Sequence, residues 1–182
     1  MTSKTARMVA LVACTGLLAA CSEGSTPLDV SPSFARSANA PVHKVSGGGK
    51  VDFTIVGRPD SGMETYGFNA SVDGNGDVKG EFQATFSSPD VTFHADVTCL
   101  AVDGNNAWLG VVVTQTHDED AFPVGTPGVI RVQDNGEGNN ATGPDQLGYW
   151  VLNGNAAACG AMRTDGVFGV LFPWIHGNAQ VK

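Results

Sequence analysis

The sequence predicts an all-β fold: an antiparallel, barrel-like domain of about nine strands, with a two-sheet β-sandwich as the alternative. Three observations predict it. Apolar and polar residues alternate through most of the chain after Val51, the period of a half-buried strand. Gly, Asn and Asp cluster between the alternating runs, roughly every 10–15 residues, as tight turns require. Beyond the first 20 residues, no stretch repeats its apolar residues at helical spacing between caps. Short connections then force neighbouring strands to pair antiparallel.

The elements follow in order. "VDFTIVG" places Val51, Phe53 and Ile55 on one face, and "YGFNASV" places Tyr66, Phe68, Ala70 and Val72 together. "DGNGD" (Asp73 to Asp77) turns the chain into "GEFQATF", with Phe82, Ala84 and Phe86 inward and Glu81, Gln83 and Thr85 opposite. In "VTFHADVTCLAV", Val91, Phe93, Ala95, Val97, Cys99 and Ala101 share one face, and Thr92, His94, Asp96 and Thr98 the other. "DGNN" (Asp103 to Asn106) is a hairpin signal ahead of "AWLGVVVTQT". Further strands are expected at "GVIRVQD", "LGYWVL", "GVFGVLF" and "NAQVK". The last of these is expected to pair with the first strand after "GGG" (Gly47 to Gly49), which hides two sheet edges at once.

The chain start reads as a targeting segment. Lys4 and Arg7 precede "MVALVACTGLLAA", an apolar run of 13 residues. A helix needs about 20 residues to span a bilayer, so this length suits a secretory leader. The run ends Leu18-Ala19-Ala20-Cys21, which resembles the bacterial lipobox. That resemblance implies cleavage before Cys21 and a lipid on its sulfur. It gives a signal peptide at 1–20, a lipidated tether at 21–46 rich in Ser, Ala and Pro, and a β-domain at 47–182. Ser22, rather than Asp, follows Cys21, which by resemblance to other lipoproteins directs the protein to the outer membrane where the cell has one. The expected localisation is the bacterial cell envelope, lipid-anchored.

The formal charge is −8, and loss of Lys4 and Arg7 with the leader takes it to −10. A polyanion such as nucleic acid would be repelled, and no basic cluster offsets that. Once Cys14 leaves with the leader and Cys21 carries lipid, Cys99 and Cys159 remain. Two leftover cysteines in an exported chain are expected to form a disulfide, with free thiols as the alternative.

Several marks occur together in order: "SGGGKVDF", "YGFNASV", "VTCLAV", "NAWLGV", "VQDNGEG" and "GNAQVK". The set resembles an uncharacterised family of secreted bacterial β-domains with a Gly-rich start, a T-C-L strand, a D-N-G-E loop and a G-N-x-Q-V ending. The resemblance implies a compact β-domain outside the cytoplasm and carries no catalytic residues with it. In that family a histidine tends to follow the last strand; here His176 comes before "GNAQVK".

Candidate chemistry concentrates in the loop "DNGEGNNATGPD". Asp134, Glu137 and Asp145 bring carboxylate oxygens to one connection, as a hard cation such as calcium requires. The other reading is an Asx turn at Asp134 and Asn135, positive φ at Gly136 and Gly138, and a solvated Glu137. Asp73-x-Asn75-x-Asp77 begins like a calcium loop, but Val78 and Ala84 stand where Gly and Glu belong, and a hairpin turn accounts for it equally. His117 with Asp118, Glu119 and Asp120 is an acidic loop. His94 and Asp96 share one strand face and are a possible base and orienting carboxylate, but no nucleophile elbow accompanies them. Trp108, Tyr149, Trp150 and Trp174 are either core or a ligand platform. No catalytic set is recognisable, and calcium is the one cofactor left open.

These readings imply an envelope-anchored lipoprotein whose β-domain is a non-enzymatic binding or structural module. A divalent-cation-dependent ligand-binding module using the 134–145 loop is the alternative. A small hydrolase or isomerase using His94 and Asp96 is a second. Partners are the membrane, through the lipid only, and a protein, glycan or apolar ligand.

Overall fold

The computed structural model describes residues 40–53, 62–87, 90–148, 151–152, 156–164 and 170–182. Cys21, the leader, the tether up to residue 39, and Ile55, Tyr149 and Trp150 lie outside the described residues.

The alternating runs form strands β1 (Pro41–Asp52), β2 (Met63–Asp73), β3 (Val78–Ser87), β4 (Asp90–Asp103), β5 (Asn106–Thr116) and β6 (Pro127–Gln133). The short β7 (Gln146–Gly148) and β8 (Val151–Leu152) follow, then β9 (Leu171–Val181). Each strand from β1 to β6 pairs antiparallel with the next, and β9 pairs with both β7 and β1. Eight strands thereby close into a ring, and β8 adds to β6 beside β7. The fold is all-β and barrel-like, as the alternation predicts.

Closure runs through the expected pair of first and last strands. Val45 sits opposite Val181 and Gly49 opposite Gly177. The Lys44 and Lys182 backbones exchange hydrogen bonds of 2.8 and 2.9 Å. The "GGG" stretch is not the domain's edge, however. It lies inside β1, which begins at Pro41, so residues 41–46 are strand rather than tether. These glycines serve close approach: a Cβ on Gly49 would collide with the Trp174 ring and the His176 carbonyl.

Nine strands lie among the described residues, the number expected, but the pieces differ. "LGYWVL" is divided between β7 and β8, whereas "LF" and "NAQV" belong to one continuous β9. Lys50 pairs with His176 and Val51 with Trp174, so Ile175 is an extra residue at a bulge. Trp174 and Ala179, five residues apart, are therefore both buried.

Aromatic side chains fill the interior. Phe53, Tyr66, Phe68, Phe82, Phe86 and Phe93 are all buried, as their spacing predicts. Phe68 meets Trp174 edge-on at 6.0 Å, and Phe82 lies 6.1 Å from Phe93. Phe122, carried by the β5–β6 connection, stacks on Phe93 at 4.7 Å and Phe86 at 5.2 Å. Such ring pairs add about 0.5–1.5 kcal/mol each beyond their burial.

One face assignment needs correction. Val91, Phe93, Ala95 and Val97 point inward, but Cys99 and Ala101 do not share that face. Val97 pairs with Val111 and Cys99 with Gly110, so Thr98 is an extra residue. One inserted residue reverses the alternation. Leu100 takes the inward position, and Cys99 and Ala101 pack on the outside with Trp108 and Val129.

Candidate functional site

Asp134, Glu137 and Asp145 each grip the end of β9. Strand β7 covers only Leu171 to Pro173 of β9, leaving the following residues with β1 on one side. The loop between β6 and β7 supplies the missing acceptors. Asp145 Oδ2 accepts the Ala179 N–H at 2.6 Å, and the Asp145 backbone carbonyl accepts the Trp174 N–H at 2.8 Å. Asp134 Oδ2 accepts the Val181 N–H at 2.9 Å. Glu137 Oε1 accepts from Asn178 Nδ2 at 2.8 Å and Gln180 Nε2 at 2.6 Å.

The remaining oxygens of the two aspartates fold the loop itself. Asp134 Oδ1 accepts the Gly136 N–H at 2.9 Å, the expected Asx turn, and Asp145 Oδ1 accepts the Asn135 N–H at 2.7 Å. Gly136 and Gly138 take φ of 89° and 57°, also as expected. Asn105 of the β4–β5 turn braces the loop's start, with Asp134 N–H on its carbonyl at 2.9 Å and its own Nδ2 on the Asp134 carbonyl at 2.7 Å. Hydrogen bonds to an ionised acceptor are roughly twice as strong as neutral ones. The Asn178 and Gln180 amides hold the exposed Glu137 carboxyl below the usual carboxylate range. Five of the six carboxylate oxygens already accept N–H bonds, so a cation here would compete with those donors for the remaining lone pairs.

Other oxygen clusters also have local partners. Asp73 Oδ1 accepts the Asn75 and Asp77 N–H groups at 2.8 and 3.0 Å and so closes the β2–β3 turn. His117 Nδ1 accepts the Thr92 N–H at 3.1 Å, and its Nε2 lies 2.9 Å from the Asp90 carbonyl, a pair that assigns the proton to Nε2. Asp118 Oδ1 accepts the Asp120 and Ala121 N–H groups, each at 3.0 Å. The acidic loop is thus folded, and it delivers Phe122 to the core.

His94 and Asp96 come together with other polar groups on the outer face of β2 to β5, around a hollow of about 370 Å3. Strand register builds it in two rows. Gly67, Gln83, His94 and Gln115 form one, and Asn69, Glu81 and Asp96 form the other. Thr114, left over where the register shifts between His94 and Ala95, completes the rim and donates to the His94 carbonyl at 3.4 Å. His94 and Asp96 are both exposed, and no hydrogen bond joins them among the described residues. Sequence reasoning singled out this pair but not Asn69 or Gln115. Their polar positions were legible, whereas the register that aligns them was not.

Cys99 and Cys159 lie at disulfide distance, with sulfurs 2.02 Å and Cα atoms 5.9 Å apart. The pair pins a 3-10 segment, Ala156–Thr164, to the outside of β4 and β5. Gly110 makes room for it, since a Cβ there would collide with the Ala156 carbonyl. Beneath lies Trp108, only 5% exposed, with the Arg131 guanidinium 5.4 Å from its ring centroid. Arg131 is held by Asn106 Oδ1 through Nε and Nη2 at 3.1 and 2.8 Å. Trp108 and Trp174 are therefore covered rather than platforms, and Trp150 lies outside the described residues.

Sequence reasoning missed Asn178 and Gln180 as partners of the loop. They lie 41 and 43 residues from Glu137 in the chain, and no local pattern joins the two stretches. No family model, curated protein or solved structure matches the chain.

Proposed function

We propose that the chain is an envelope-anchored lipoprotein whose β-domain is a non-enzymatic binding or structural module. The filled interior carries this reading. Phe53, Phe68, Phe82 and Phe93 occupy the space in which a barrel of this size would hold an apolar ligand, so recognition falls to the outer surface. A protein or glycan partner fits such a surface better than an apolar small molecule. The Leu18 to Cys21 lipobox supports the anchor, and the Cys99–Cys159 pair suits an oxidising compartment. Ser22 after the lipid cysteine supports the outer membrane where the cell has one.

Expression of the full chain in a bacterium fed labelled palmitate tests the anchor. Label is expected in the membrane fraction, and Cys21→Ser is expected to lose both label and membrane association. Soluble, unlabelled parent protein would reject the reading. The shared hollow keeps a second reading in view, a small hydrolase or isomerase using His94 and Asp96. Turnover of ester or sugar substrates that His94→Ala abolishes would establish it in place of the first.

A further inference from the structure

We propose that the hollow on β2 to β5 binds a small hydrophilic organic cation, one carrying protonated amines. The inference rests on the binding-module reading and names that module's ligand class.

Glu81 and Asp96 sit directly opposite each other on adjacent strands. Side chains so placed have Cβ atoms about 4.5–5.5 Å apart, and like charges there destabilise the sheet. Their row continues to Asn69, whose amide also faces outward. The neighbouring row presents Gln83, His94 and Gln115. No Lys or Arg lines the hollow; His94 is the one basic side chain among its lining residues, against two carboxylates. Among the described residues, none of these six side chains has a hydrogen-bond or ion-pair partner from the protein.

Shape adds a separate argument. Gly67 contributes no side chain at the end of its row, and a Cβ there would meet nothing within 4 Å. The open volume of about 370 Å3 lies in the range of small-molecule sites and exceeds the needs of a bare ion. Charge complementarity selects the occupant: ammonium groups neutralise Glu81 and Asp96 and donate to them, while the amides of Asn69, Gln83 and Gln115 supply further acceptors. An anionic ligand would meet two carboxylates against the single imidazole of His94.

The test is calorimetric titration of the detergent-solubilised full chain with spermidine, at about 0.15 M salt so that diffuse attraction is screened. One spermidine per chain is expected. Gly67→Phe fills the hollow and is expected to abolish binding, with its melting temperature showing whether the fold is kept. The double variant Glu81→Gln with Asp96→Asn is expected to weaken binding about tenfold or more. Glu119→Gln with Asp120→Asn removes the same charge elsewhere and is expected to change it less than about twofold.

The absence of binding overturns the proposal, as does equal weakening by the Glu119/Asp120 pair, which would mean diffuse charge attraction only. Equimolar calcium chloride that displaces spermidine would overturn it in favour of a bare cation. None of these outcomes touches the lipid anchor, which the palmitate experiment judges separately. Turnover would reject the non-enzymatic reading itself.

Discussion

Asp145 Oδ2 accepts the backbone N–H of Ala179 at 2.6 Å, across 34 residues of sequence. Asp145 is the one buried charged residue found among the described residues, at 5% exposure. Its carboxylate occupies the place of a strand carbonyl where β7 has already ended. A strand edge is thereby completed by side chains, in the same way that Asp134 treats Val181.

Replacement of Asp145 by Asn should be costly. One of its two accepting oxygens becomes an NH2, which must face either the Asn135 or the Ala179 N–H. A buried donor left without an acceptor costs about 1–3 kcal/mol. Urea unfolding should register that loss, and hydrogen exchange at Ala179 should accelerate while exchange in β3 keeps to the global rate. Unchanged exchange at Ala179 would mean that the clasp does not hold β9. Glu137→Gln, at an exposed position with only side-chain partners, should be the milder change. Because the folded-state Glu137 carboxyl is depressed, its contribution is present above the ordinary Glu range and is lost as pH falls through the folded value.

Calcium and EDTA should leave the melting temperature of the domain unchanged. Five of the six loop carboxylate oxygens already accept N–H bonds, which leaves fewer lone pairs for an ion, and any ion bound to the native state would raise the melting temperature by mass action. A calcium-dependent rise that Asp134→Asn removes would restore the cation reading of the loop.

Stability should fall between about pH 4.5 and 7 because of Glu64. Burial lifts its carboxyl from the usual 4.5 to about 7, against the smaller opposing effect of the Tyr66 hydroxyl bonded to Oε2. Across that window the folded chain holds a proton that the unfolded chain has lost, so rising pH favours unfolding. The shift sets a ceiling of about 3 kcal/mol, reduced by whatever water reaches the group. Glu64→Gln should flatten this part of the pH profile and exceed the parent's stability at pH 8, as measured by thermal melts. A profile unchanged by the substitution would assign the effect elsewhere.

Gly110→Ala should displace the 156–164 segment. The added methyl collides with the Ala156 carbonyl, which cannot retreat while Cys159 is bound to Cys99. A slower formation of the cysteine link on refolding is expected, together with a lower melting temperature. Loss of the link by Cys99→Ser with Cys159→Ser should cost on the order of 4 kcal/mol for a loop of this length. If Gly110→Ala refolds like the parent, the close approach at Ala156 is not required.

Period-two alternation makes the inward Tyr66, Phe68, Phe82 and Phe93 legible, and the need to hide two sheet edges suggests the pairing of "GNAQVK" with the first strand. Alternation alone puts Cys99 on the inward face, because a bulge at Thr98 carries no local signature; Thr is an ordinary strand residue, and the extra position exists only relative to the partner strand. Glycine is also a loop residue, so "GGG" by itself points to a boundary. Its real reason, Trp174 lying against Gly49, is a contact across 125 residues.

The same division applies to the candidate sites. By itself the sequence determined the all-β class, the turn residues and which residues alternate toward the core, because these follow from local backbone preferences and the two-residue period. Only the tertiary structure decided that the oxygens of Asp134, Glu137 and Asp145 are acceptors for β9, and that Asn69, Glu81 and Asp96 share a row. Both depend on strand register and ring closure, which are set by packing among residues far apart in the chain.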